Sequence, residues 1–154
     1  MNKEKLDIVY LIEKNPLIKL DDTYQSKMLE KIKSKFTIFQ QRLYVANYYC
    51  SLNYDEKKDF VIDLNDIWKW LGFNRKDDCK RVLKKNFVVN IDYIASQVSN
   101  KETFLLSVNT FKKLCLKSNT KKADEIQDYY IQLRDIMLDI VNEESNEFRE
   151  QFKV

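Results

Sequence analysis

The chain has no histidine, one glycine and one proline in 154 residues. Without histidine, the commonest general base and metal ligand is missing. A single glycine, Gly72, excludes a phosphate-cradling P-loop and a dinucleotide fingerprint. So few turn residues, with regular apolar spacing, imply long helices and few loops. The three cysteines, Cys50, Cys79 and Cys115, are odd in number, far apart and each on an apolar face. That pattern implies buried, reduced thiols in an intracellular protein, not a disulfide framework or a zinc site. No apolar run approaches the roughly 18 residues of a membrane span. Acidic Glu4 and Asp7 interrupt what would be a signal-peptide core, so none is expected. The adjacent pairs Asp21-Asp22 and Asp77-Asp78 do not converge side chains on one metal; they suit helix starts. The expectation is a chain that is not an enzyme and uses no cofactor or metal.

What is present is charge and apolar periodicity. The chain is 44% apolar and 33% charged, in the range of a globular domain rather than a disordered one. The net charge is only +3, but it is unevenly placed. Residues 65–90 carry +4, residues 109–122 carry +5 with no acid, and residues 123–154 carry −6. A polyanion would sit on the basic middle. The dominance of lysine over arginine, 22 to 5, is the imprint of an A+T-rich genome and says little about function.

The spacing predicts a short helix over residues 4–13, broken at Asn15-Pro16. A long helix follows from about Asp22, with Leu29, Ile32, Phe36, Phe39, Leu43, Ala46 and Cys50 in steps of three and four. Phe60–Leu64 reads as a strand. Asn65 or Asp66 caps a helix with Ile67, Trp70 and Leu71 inward, and Gly72 ends it in a left-handed conformation. A second helix covers Arg75–Asn86, with Cys79, Val82 and Leu83 inward. Phe87–Ile94 and Thr103–Ser107 are rich in strand formers and form a hairpin around Ser99–Lys101. Asn109 or Thr110 caps the next helix. Thr120 opens the last one, which runs to about Glu144 with Ile126, Tyr130, Leu133, Met137 and Ile140 inward.

Helix, Gly72 turn and basic helix are arranged as in a helix-turn-helix, with the hairpin where a wing lies. Lys76, Lys80 and Lys84 share one face at i, i+4 and i+8, and Arg81 and Lys85 lie one step around. Such a face can neutralise phosphates. It can equally be a solvated helix face, as most charge runs are. Asn74 and Arg75 stand at the helix start, where base-reading side chains are presented. Lys121 and Lys122 stand at another helix N-terminus, which favours anions. Trp70 reads as core, and Trp68 as peripheral packing rather than a base-stacking platform. The heptad-like stripe Leu29, Ile32, Phe36, Phe39 and Leu43 either packs within the chain or forms a homodimer interface.

Four segments occur in a telling order: Val61–Phe73, Phe87–Ile94, Leu105–Leu116 and Thr120–Leu133. The order resembles the N-terminal DNA-binding domains of large DNA viruses and phages. These are the Bro-N and KilA-N group, the entomopoxvirus-type domain and the AntA-type antirepressors. The resemblance covers about half the chain. It implies a viral α+β domain that binds DNA without catalysis, through the helix after the Leu-Gly-Phe turn. That puts Arg75, Lys76, Lys80, Arg81 and Lys84 in play. Ala123, Gln127 and Asp128 depart from the family pattern, which implies a packing role for the last helix.

The combined expectation is a mostly helical α+β fold: a helix-turn-helix-like core, a wing-like hairpin and long flanking helices. Residues 1–57 read as an N-terminal helical extension, 58–142 as the DNA-binding core, and 143–154 as a polar tail or link to a further domain. The partner is duplex DNA, held through Asn74, Arg75, Lys76, Lys80, Arg81, Lys84, Lys85, Lys121 and Lys122. Regulation of transcription or replication, inside a host cell or a virion, is the expected setting. The competing reading is a protein-interaction or assembly module with incidental basic faces.

Overall fold

Thr37 divides the long N-terminal helix that the apolar spacing implies. The computed structural model describes residues 4–15 and 26–152. In it α1 spans Ile8–Glu13, α2 Lys27–Lys35 and α3 Ile38–Asn53. The Thr37 hydroxyl accepts from the Gln40 N–H at 3.1 Å, and the Gln40 side chain accepts from the Thr37 N–H at 3.0 Å. This capping box satisfies two otherwise unpaired donors and restarts the helix at a new angle. The sequence signature, Thr-x-x-Gln, lies inside an unbroken apolar periodicity, which masks it. The helix start near Asp22 and the break at Pro16 lie outside the described residues.

The central segment forms a small sheet with helices at its corners. Strand β1 is Phe60–Asp63. Helix α4, Leu64–Ile67, lasts a single turn, and its cap is Asp63, not Asn65 or Asp66. The chain then turns through Trp68–Leu71 to Gly72, whose φ is +98°. Helix α5 is Lys76–Asn86. Strands β2, Tyr93–Val98, and β3, Lys101–Ser107, make the expected hairpin. Its two-residue turn places Ser99 and Asn100 at φ +51° and +66°, matching the twist of the strands. The sheet is antiparallel in the order β1-β3-β2.

Two expectations for this segment are corrected. Phe87–Asp92 is not strand despite its composition. The Asp92 carboxylate accepts from the Val88 N–H at 2.8 Å, and Asn90 takes φ +68°, so a local turn replaces pairing. The cap of α6, Val108–Lys117, is Ser107 rather than Asn109 or Thr110.

Helix α7 starts at the Thr120 cap and continues past Glu144, spanning Lys121–Gln151. Ala123, Ile126, Tyr129 and Ile136 are its buried residues. Met137, expected inward, is 51% exposed, because the inner face is centred one position earlier. Helix α2 lies along α7 in antiparallel sense. Lys27, Lys31 and Lys35 pair with Glu147, Glu143 and Asp139 at 2.6, 2.9 and 3.2 Å. No described helix is long and apolar enough to cross a membrane.

One apolar cluster joins all the helices and the sheet. Ile8, Leu11 and Ile12 of α1 share it with Val61, Leu64, Leu106 and Leu114. The Leu6 N–H donates to the Val61 carbonyl at 2.7 Å and ties the N-terminal segment to β1. Ile32, Phe36 and Leu43 are buried in the same cluster, and Leu29 and Phe39 pack against it. The stripe considered as a homodimer interface is thus filled by the chain itself.

At Gly72 any side chain would be strained. A Cβ there would lie 3.4 Å from the Thr120 Cβ, in a conformation that L-residues reach at roughly 1–2 kcal/mol. Gly72→Ala is expected to lower stability by about that amount. Urea denaturation would show a lower midpoint with an unchanged slope. Thr37→Ala removes the capping box and is expected to cost about 1 kcal/mol by the same measurement.

Candidate nucleic-acid interface

Helix α5 is built to show its charge. Cys79 and Leu83 anchor it with no exposure, and Val82 is half-buried beside them. The opposite face carries Arg81, Lys84 and Lys85, all exposed, with Lys76 and Lys80 half-buried at its edge. An open trough runs across this face, lined by Asp77, Lys80, Arg81, Lys84 and Lys85. Four of the five cations expected on α5, Lys80, Arg81, Lys84 and Lys85, line this trough, while Lys76 stands half-buried on the first turn of the helix.

Carboxylates temper the face. Arg75 caps α5 without a side-chain cap bond and instead forks onto Asp78, at 3.2 and 3.5 Å. Arg81 stands 3.8 Å from the same Asp78 carboxylate. Lys80 donates to Glu102 of β3 at 2.5 Å. That bond raises the Lys80 pKa, and the same bond holds the Glu102 carboxyl below its ordinary value of 4.5. Lys80 and Lys84 both lie 5.5 Å from the centre of the Phe104 ring. The hairpin thus holds the edge of the basic helix through one acid and one aromatic ring. Sequence reasoning missed both residues. Their signal is the strand period of two, which puts Glu102, Phe104 and Leu106 on one face.

The second basic corner divides. Lys121 is exposed at the start of α7. Lys122 is committed to the fold: its ammonium lies 4.6 Å from the Phe39 ring centre and 5.3 Å from that of Trp70. Glu125 at 3.5 Å and Glu13 at 3.9 Å complete its surroundings. Lys122 is thus engaged by rings and carboxylates of the fold, whereas Lys121 is exposed. Trp70 itself stacks on Phe111 and donates from Nε1 to Glu13 at 2.9 Å. Trp68 is half-buried against the core. Lys112 pairs with Glu56 at 2.8 Å, while Lys113 and Lys117 are exposed. The turn at Gly72 touches Thr120, so the start of α7 borders the loop that carries exposed Asn74 into α5.

The cysteines are buried thiols, free of disulfides. Burial pushes Cys50 up to about 11 and Cys79 up to about 12, and raises Cys115 as well. At neutral pH all three are protonated and poor nucleophiles.

The fold and this face define a mostly helical α+β domain that presents a basic helix beside a β-hairpin. A family model, the MSV199 domain, matches residues 6–137. The chain belongs to this family of viral domains, of the poxvirus and entomopoxvirus type. The match takes in most of the segment before β1 and ends within α7. No curated protein and no solved structure matches the chain.

The raised thiol pKa values set an alkaline limit. Unfolded thiols ionise near their ordinary value of 9.0, whereas the folded ones hold their protons to higher pH. Above pH 9 the unfolded state therefore binds fewer protons, and stability falls as pH rises. Each thiol is expected to contribute a slope of about 1.4 kcal/mol per pH unit in that window. Urea midpoints measured from neutral pH to pH 10.5 or so test the slope, and Cys79→Ala should flatten it.

Proposed function

We propose that the chain is a non-enzymatic viral DNA-binding module that seats duplex DNA on the outer face of α5. The observation that carries this reading is the cationic trough formed by Lys80, Arg81, Lys84 and Lys85 beside the β2–β3 hairpin. It is shallow, open and lined by side chains long enough to follow a phosphate backbone. Lys76 extends the face along the helix. Lys121 and Asn74 flank it across the Gly72 turn. The motif order resembling Bro-N and KilA-N domains supports the same placement, as does the likeness of α4, turn and α5 to a helix-turn-helix.

The contacts are mainly to phosphates. Arg75 is tied to Asp78 and would have to leave it to read a base edge. Asn74 is exposed at the helix start and is the better-placed base contact. Lys122 is excluded from the proposed contact set because its charge is spent inside the fold.

Fluorescence anisotropy with a labelled duplex tests the proposal at several salt concentrations. Four engaged phosphates give a slope of log K against log salt of roughly −3 to −4. The pair Arg81→Glu and Lys84→Glu should weaken binding at least tenfold at low salt and flatten the slope. Glu102→Gln removes the acid that competes for Lys80, and should strengthen binding severalfold. Wild-type chain that shows no salt-dependent binding, or charge reversal without effect, refutes the reading.

A further inference from the structure

Helix α7 carries a second apolar stripe that no other described residue covers. Ile131, Leu138, Val141, Phe148 and Phe152 are 52, 52, 56, 63 and 70% exposed. Their steps of seven, three, seven and four residues are those of a coiled-coil seam, and Arg134 and Ser145 fill its two remaining positions. The opposite face of α7 is already used. Ile136 is buried there, and Asp139, Glu143 and Glu147 hold the lysines of α2. The stripe runs about 30 Å along the helix. An apolar seam of five large residues, broken only by Arg134 and Ser145, marks a contact surface.

We propose that this seam pairs antiparallel with the same seam of a second copy of the chain. The argument is self-complementarity. With the two helices reversed about their Leu138–Val141 midpoint, Leu138 meets Val141, and Ile131 meets Phe148. Arg134 then meets Ser145, with Glu144 beside it. Each contact occurs twice, as a two-fold interface requires. An open groove lined by Val141, Glu144, Ser145, Phe148 and Arg149 receives Ile131 and Arg134 of the second copy. The Arg134 guanidinium is mostly exposed and lies only 3.7 Å from its neighbour Asp135, a contact that solvent screens and that it can leave. A parallel pairing would instead place Arg134 on Arg134, like charge on like charge in the seam. About three heptads is short for a helix pair. The dimer therefore dissociates on dilution. This inference does not rest on the DNA reading.

Sedimentation velocity of the full chain over a wide concentration range reads it out. The mean mass should climb from monomer towards dimer. Leu138→Glu with Val141→Glu should hold the chain monomeric without changing its circular dichroism, since both side chains are exposed. Arg134→Glu should weaken the dimer severalfold, and adding Glu144→Arg in the same chain should restore it. Mild oxidation of mixed Ile131→Cys and Phe148→Cys chains should give the mixed disulfide, with the native thiols buried. A chain that stays monomeric throughout, or a dimer indifferent to the Leu138 and Val141 changes, overturns the proposal. An Ile131→Cys chain that cross-links to itself instead overturns the antiparallel arrangement.

Discussion

The ammonium of Lys122 holds together four parts of the chain that are distant in sequence. It lies against the Phe39 ring of α3 and the Trp70 ring of the turn after α4, and it stands on the first turn of α7. Glu13, at the end of α1, faces it and also accepts the Trp70 indole N–H. Cation–π contacts contribute roughly 0.5–2 kcal/mol each, more when partly desolvated. The larger effect is geometric. Trp70 is held by the Lys122 ammonium and stacks on Phe111, and the turn that follows leaves from this cluster. Gly72 lies in that turn at positive φ beside Thr120, and α5 starts at Lys76, four residues beyond it. The cluster therefore stands immediately before the turn that leads into the basic helix.

That dependence explains which parts of the fold are legible in the sequence. Local signals were readable. Gly72 had to be left-handed, Thr120 had to be a cap, and the Ser99-Asn100 turn had to close a hairpin. Cys79 and Leu83 had to face inward from α5, because the helical period leaves no other choice. Non-local partners were not readable. Nothing near Lys122 distinguishes it from Lys121, yet one is engaged between aromatic rings and the other is exposed. The difference is one step of about 100° around α7. Likewise, the acid that β3 brings to Lys80, Glu102, has no local signal in α5. Strand-forming composition misled at Phe87–Asp92, where one Asp92 side chain outcompetes pairing.

Charge shows the same division between sequence and structure. In sequence the chain is dipolar, with a basic middle and an acidic tail. In the fold that tail is partly answered from the far end of the chain. Three lysines of α2, four residues apart, meet three acids of α7, also four apart, running the other way. Exposed pairs of this kind contribute little stability each, about 0–1 kcal/mol. Their periodicity still specifies register, since a shift by one residue along either helix loses all three. The carboxylates of Glu143 and Glu147 are therefore paired with α2, while Glu144, one step around the helix, acts on Lys27 only through longer-range attraction.

The separation of the faces of α7 follows from this ladder. Once α2 claims the side of Asp139, Glu143 and Glu147, and the core claims Ala123, Ile126, Tyr129 and Ile136, the remaining surface is the seam from Ile131 to Phe152. A tail serving only as a solvated linker has no need of five large apolar residues in coiled-coil steps. Their cost in exposed apolar surface is roughly 25 cal/mol for each Å² left in water. The acidic character of the helix, which argues against its touching DNA, is compatible with the proposed pairing of two copies through the seam. Acids on its flanks keep it soluble and repel a polyanion, while the seam between them stays apolar. The basic helix and the apolar seam thus lie on different elements, α5 and α7, so that mutations in one can be read without disturbing the other.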